Sequence, residues 1–274
     1  MNISRRHFLA GLGAAGAALG ADAFGLEATR VELTRHDVQV RNLPPALDGI
    51  RLAQISDVHF PGNTLAAKHA AQHIQRERPD IVALTGDMTE KLDAAGQVRG
   101  FAAITRGTIA TVAILGNWEY YAGMTGAAAH SVYRDTGVDL LINQAKTIRV
   151  GSSSLTLVGL DDALLGRPDL AAARADVDPE SLEIWLLHEP VYADSIQPGF
   201  ASRPACLLAG HTHGGQIRIP FVPALKPIGA GRFLEGWYRD TIAPLYVSHG
   251  VGTTAIPARF RCAAELPIFT FRRA

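Results

Sequence analysis

Apolar residues in this chain fall into short unbroken runs separated by segments with helical spacing. Residues 29–40 alternate roughly between polar and apolar, the period of a strand, and Asn42-Leu43-Pro44-Pro45 ends the run. Residues 50–55, 80–84, 109–115, 182–187 and 205–209 are nearly continuous apolar runs, the pattern of strands covered on both faces. Between them, 65–76, 93–105 and 125–135 read as helices, and 147–150 with 154–160 as a hairpin turning at Gly151 and serines. Strand–helix alternation with doubly covered strands predicts an α/β layered fold. The texture changes after the fifth run. Residues 216–219, 233–238, 245–248 and 266–271 read as short strands, and 220–231 is a Pro/Gly-rich loop placed to wall a cleft. No linker-like stretch separates this tail, and no internal repeat is present.

The amino terminus departs from that texture. Arg5-Arg6 precede an Ala/Gly/Leu-rich run over 8–20, and Ala21-Asp22-Ala23 offers small residues where a signal peptidase reads them. Residues 1–23 therefore resemble a twin-arginine-type export signal, and 24–274 form one expected domain. The run is short and Ala/Gly-rich for a membrane span, although its retention as an uncleaved anchor stays open. Export by the twin-arginine machinery would place the protein in the periplasm or cell envelope, and an anchor would hold it at a membrane surface. The rest of the composition mainly excludes. A formal net charge of +0 gives no electrostatic footprint for nucleic acid. Cys206 and Cys262 are no disulfide framework, and Cys206 in its apolar run reads as a small buried hydrophobe.

Candidate chemistry sits where the apolar runs end. The runs terminate in Asp57-Val58-His59, Gly86-Asp87, Gly116-Asn117, His188 and Gly210-His211-Thr212-His213-Gly214-Gly215. Loops leaving the carboxyl ends of strands are where layered α/β folds bind ligands. In extended backbone, residues two apart share a side, so each of the two i, i+2 pairs can address one small volume. Imidazole, carboxylate and one amide oxygen together suit Mn, Fe, Zn or a mixed pair better than a thiolate zinc site or an all-oxygen Mg site. Seven such side chains exceed the needs of one ion, whereas two ions sharing a carboxylate use them naturally.

Asp57-x-His59, Gly86-Asp87, Gly116-Asn117, His188 and Gly210-His211-x-His213, in that order, resemble the calcineurin-like metallophosphoesterases. With the amino terminus, Gly-Asn-Trp-Glu and Gly-His-Thr-His-Gly-Gly-Gln, they look most like an exported or membrane-associated branch, similar to phosphodiesterases that include a UDP-2,3-diacylglucosamine pyrophosphatase. The resemblance implies a four-layer sandwich of two mixed β-sheets flanked by α-helices. It implies two divalent or mixed-valence metal ions, one on Asp57, His59 and His213, the other on Asn117, His188 and His211, with Asp87 bridging. A water or hydroxide between them would attack phosphorus, and Asp87, Asn117 and His211 would carry catalysis. The substrate would be a phosphorylated small molecule or a lipid-linked phosphoester or pyrophosphate.

One motif position departs. Where the family has Gly-Asn-His-Glu, this chain has Gly116-Asn117-Trp118-Glu119, and tryptophan cannot protonate a leaving oxygen. Trp118 and Glu119 are the expected substrate-side contacts. Trp118 stacks or packs, and Glu119 alternatively supports a ligand from behind. Tyr120 and Tyr121 extend the aromatic patch. Asp161 and Asp162 read as caps or structural supports, His249 as structural, and His69, His73 and His130 as surface residues. A second reading is a non-catalytic metal-binding envelope protein that kept the cage and lost turnover at Trp118. A metallo-β-lactamase-like site would need His-x-His-x-Asp-His, but Gly214-Gly215 follows the histidine pair.

Overall fold

The computed structural model describes residue 7, residues 20–197 and residues 204–274. The expected export signal lies for the most part outside the described residues. Among them, no helix is long and apolar enough to cross a membrane.

Among the described residues, twelve strands form two sheets. They are β1 Val31–Val40, β2 Arg51–Ile55, β3 Ile81–Thr85, β4 Ala110–Ile114, β5 Asp139–Leu140, β6 Gln144–Val150, β7 Ser153–Gly159, β8 Leu182–Leu186, β9 Cys206–Ala209, β10 Gly236–Tyr238, β11 Leu245–Val247 and β12 Ala264–Arg273. The first sheet runs β1-β12-β2-β3-β4-β5 and the second β10-β11-β9-β8-β7-β6. Both are mixed. β2 to β5 are parallel, and β12 returns to lie antiparallel to β2 and parallel to β1. β7, β8, β9 and β11 are parallel, edged by antiparallel β6 and β10.

Side-chain alternation explains the layers. On β2 and β3, Leu52, Ile81 and Ala83 face the second sheet, where Leu155, Ile184, Leu186, Cys206 and Leu208 meet them. The intervening Ala53, Ile55, Val82 and Leu84 face outward onto α1 (Thr64–Glu77), α2 (Ala95–Ile104) and, past the short α3 (Asn117–Tyr121), α4 (Gly126–Tyr133). The apolar stripe of α1 is Ala66, Ala67, Ala70, Ala71 and Ile74, whose small side chains let it sit close to the sheet. The outer face of the second sheet is covered more thinly. Trp185, Leu207 and Val247 pack there with Leu170, Ala193 and Phe233, from helices only four residues long and from loops. This is the α/β architecture of two mixed sheets flanked by helices.

Two tail elements differ from expectation. Residues 216–219 contribute only an isolated bridge, Ile217 to Phe260, because Gln216 turns left-handed (φ 48°) and Pro220 follows. The strand expected from 233 begins at Gly236, since Phe233 is drawn into the outer core. Both cysteines are buried and free.

Candidate metal centre

The carboxyl ends of β2, β3, β4, β8 and β9 reach one edge of the sandwich, and Gln54 ties the sheets together beneath it. Its amide donates to Thr85 Oγ1 in its own sheet and to the Ala209 carbonyl in the other, both at 2.9 Å. The loops leaving these strands turn at once. Asp57, His59, Asp87, His211 and His213 all have φ between 50° and 72°, the left-handed region that non-glycine residues rarely adopt. Such strain, repeated at five adjacent polar residues, is characteristic of a functional site. Glycine makes the close approach possible at Gly86, where a Cβ would lie 2.6 Å from His188 Nδ1 and 2.8 Å from Gly116 N.

Two groups of ligand atoms result. Asp57, His59 and His213 form one, and Asp87, His188 and His211 the other, each buried and each with its atoms within 4.8 Å of one another. Asp87 connects them, with Oδ2 at 3.0 Å from His188 Nε2 and 3.8 Å from His59 Nε2. His59 and His213 face each other Nε2 to Nε2 at 3.0 Å. Asn117 is buried at the same edge, and its Oδ1 has no hydrogen-bond partner. An unpaired buried amide oxygen is costly in an apolar interior, and a cation satisfies it. The donors thus fit a pair of metal ions.

For three of the four histidines the ring nitrogen turned away from the site meets an oxygen behind it, whereas His213 Nδ1 has no hydrogen-bond partner. His188 Nδ1 meets the Thr85 carbonyl at 2.8 Å, and His211 Nε2 meets the Ile228 carbonyl at 2.7 Å. His59 Nδ1 lies 3.2 Å from Glu90 Oε1, and Thr254 Oγ1 donates to the same oxygen at 3.1 Å. These contacts fix which nitrogen points inward. Asp57 accepts from the His211 backbone N–H on both oxygens, at 3.0 and 3.1 Å.

Electrostatics follows the geometry. Burial opposes ionisation of Asp87, but His188, His59 and His211 hold its carboxyl down at about 2. Burial likewise opposes a charged His59, yet Glu90, Asp87 and Asp57 raise it above its ordinary value. Burial lowers His213 and His211, with His59 and Arg259 adding to the first and His188 to the second. His188 is likewise raised by Asp87 and Glu189 against its burial. Only His211 and His213 are thus held toward the neutral form that ligates metals, and an ion would have to displace the proton favoured on His59 and His188.

Glu119, expected on the substrate side, sits behind the loops instead of lining the cleft. It is fully buried, and its two oxygens accept four backbone N–H groups. Oε2 takes Asp87 (2.9 Å) and Gly116 (2.8 Å), while Oε1 takes Met88 (2.6 Å) and Thr89 (3.2 Å). Burial and the Asp87 charge push its carboxyl up to about 7, against the four donors that favour the carboxylate. Its place is behind the loops that carry Asp87 and Asn117. Trp118 does face the cleft. Its backbone N–H donates to Asp87 Oδ1 at 2.8 Å, and its ring stands edge-on to His59 at 5.9 Å and to Tyr121 at 5.6 Å. Tyr120 turns away, its hydroxyl donating to Asp161. Above the two ligand groups opens a cleft of about 480 Å³, lined by Asp87, Asn117, Trp118, Tyr121, His211 and His213 among others.

The weaker candidates are structural. Asp162 Oδ1 accepts the N–H groups of Leu164, Leu165 and Gly166, which shapes that loop. His249 pairs with Glu235 at 2.6 Å. His69 and His73 are part-buried and bond to the Thr29 and Val31 carbonyls, whereas His130 is exposed. Glu90 and Arg259 are supports with no spacing signal in the chain. Arg259 is fully buried, and its guanidinium donates to the carbonyls of His249, Gly250, Gly252 and Cys262, which brace the loop behind Asp57.

Residues 50–219 match the calcineurin-like phosphoesterase superfamily domain. The chain is 30% identical over 285 residues to the uncharacterized metallophosphoesterase YkuE of Bacillus subtilis, covering 98% of each. It is 28% identical to a zebrafish (Danio rerio) transmembrane protein with a metallophosphoesterase domain, covering 87% of this chain but 56% of that one. In fold it resembles a 5'-nucleotidase precursor from Thermus thermophilus, with a TM-score of 0.50 at 11% identity, over 74% of this chain and 49% of that one. With its two buried His/Asp groups at the shared edge of two mixed sheets, this chain belongs to the calcineurin-like phosphoesterase superfamily, as a phosphoric ester hydrolase.

Proposed function

We propose that the protein is a dinuclear-metal phosphodiesterase or pyrophosphatase that works in the cell envelope after twin-arginine export. The observation that carries the reading is Asp87, among the described residues the carboxylate that lies close to a histidine of each group, 3.0 Å from His188 and 3.8 Å from His59. Asp57, His59 and His213 would hold one ion, and Asn117, His188 and His211 the other. Manganese, iron and zinc all suit this donor set. Bound there, two cations supply charge to the phosphoryl oxygens and acidify an attacking water.

The chain's own residues do the rest. Asp87 fixes the spacing of the two groups, and the neutral Asn117 adds a donor without cancelling positive charge. His211 fixes its inward nitrogen through the Ile228 carbonyl. Trp118 and Tyr121 give the cleft an aromatic wall for the group beyond the phosphorus. No side chain at Trp118 can protonate a leaving oxygen, which favours substrates with a stable leaving group, such as pyrophosphates. A phosphorylated small molecule or lipid-linked substrate fits this reading, and residues 24–274 would act as one domain.

Hydrolysis of a soluble aryl phosphodiester by the metal-reconstituted protein is the test. Asp87→Ala and His211→Ala should each lose at least about a hundredfold in kcat/KM, as removal of a group acting on transition-state charge does. Unchanged activity in both variants would refute the assignment. Metal bound by the wild type without turnover on any phosphoester would favour the non-catalytic envelope protein.

A further inference from the structure

The far wall of the cleft is made by a loop that the hydrolase reading does not use. Residues 216–234 contain no Asp or Glu. Of their cations, Arg218 pairs with Glu235 and Arg232 with Asp194 and Asp240, while Lys226 reaches the Gly231 carbonyl rather than a carboxylate. Five of the loop's apolar side chains point outward. Phe221 is fully exposed, Leu225 and Ile228 are 84% and 86% exposed, and Ile219 and Val222 are both 55% exposed. Single exposed apolar residues are ordinary, but five within ten positions of one loop form a patch of the kind that marks an interaction site. Phe221 holds a φ of 67°, a conformation bulky side chains avoid, and its own burial offsets none of that cost. Arg261, also exposed, flanks Ile219 and Phe221 at the loop's foot. Leu225 and Ile228 continue inward as lining of the cleft, and Ile228 is bonded to His211. Leu225 and Ile228 therefore link the exposed loop tip with the cleft beside the histidines.

We propose that this loop docks the protein on an anionic lipid bilayer, with Phe221 and Val222 among the acyl chains and Arg261 and Lys226 at the lipid phosphates. Exposed apolar tips flanked by cations such as Lys226 and Arg261 are the complement of such an interface. The cleft then opens onto the bilayer, and its substrate is an amphiphilic phosphoester. Only that last consequence rests on the hydrolase reading, since docking needs no turnover.

The test is flotation of the full chain with phosphatidylcholine vesicles that contain or lack phosphatidylglycerol. The wild type should partition at least about tenfold more strongly onto the anionic vesicles, and the difference should shrink as salt screens it. The double variant Phe221→Ser/Val222→Ser should lose about tenfold or more of that binding. Its hydrolysis of a soluble aryl phosphodiester and its sedimentation coefficient should be unchanged. Wild type that ignores anionic vesicles, or a variant that binds them equally, overturns the proposal. So does a wild-type dimer that the variant splits while vesicle binding is absent, because a second copy then covers the patch. Vesicle binding lost in the variant, by a protein that cleaves no phosphoester, would sustain the docking and sink the hydrolase reading.

Discussion

Replacing Glu119 by glutamine removes one of the two oxygens that hold together the loops carrying Asp87 and Asn117. Each oxygen accepts two buried backbone N–H groups, at 2.6 to 3.2 Å. A glutamine side chain can serve only one pair. Its NH2 then faces the other two donors, which no water reaches. Leaving a buried donor unsatisfied costs about 1–3 kcal/mol, so two of them cost about 2–6 kcal/mol. Burial has already raised the wild-type carboxyl to about 7, so its charge is a weak stabiliser. The lower part of the range is therefore expected, about 2–3 kcal/mol, against a native stability of about 5–15 kcal/mol. The variant should fold, with the turn at Gly86 and Asp87 relaxed. Urea unfolding measures the stability loss, and metal per chain after dialysis measures occupancy. Both should fall, with activity following occupancy and with little change in KM for the fraction that stays loaded. A Glu119→Gln protein that keeps two metals and lies within about 0.5 kcal/mol of wild type would refute this reasoning. A raised KM at unchanged stability and metal content would restore Glu119 as a substrate contact.

Leu208→Ala opens a cavity between the two sheets, where Leu208 is fully buried, and should cost about 2–5 kcal/mol in chemical denaturation while the folded protein keeps its metals. Chelation should lower the melting temperature, because it removes ions that only the folded ligand groups can hold; restoring metal at a hundred times its Kd should return about 2.7 kcal/mol. Glu235 is held at about 2 by His249 and Arg218, below its ordinary 4.5. A depressed carboxyl stabilises above its unfolded value and loses that contribution as pH falls through the folded one. Glu235→Gln should therefore be less stable than wild type at pH 6, by at most about 1 kcal/mol after solvent screening, and the gap should close between pH 4.5 and 2. A gap that widened on acidification would contradict the ion pair's role.

Why the chain reveals its ligand positions but not their supports comes down to range. A buried strand is local: Ile81 to Thr85 are all apolar or β-branched, so the run and the Gly86-Asp87 that ends it are visible without a partner. The supports are not local. Glu90 reaches His59 across 31 positions, and Arg259 serves carbonyls 3 to 10 residues away that are ordinary until the loop closes around it. Very short elements fail for a related reason. β5 has two residues and the helices Leu170–Ala173 and Tyr192–Ser195 four each, too few to display a period. The His-x-His motif shows the limit from the other side. In a continuing strand, His211 and His213 would share one face and one ion. Their φ values of 72° and 50° take them out of extended backbone, and their side chains diverge, His211 toward Asp87 and His213 toward Asp57. What separates them is the glycine around them: a Cβ on Gly210 would collide with Ser56, and one on Gly214 would lie 2.8 Å from Cys262 Sγ. The two glycines let the turn press against both neighbours, and that turn divides one motif between two ligand groups.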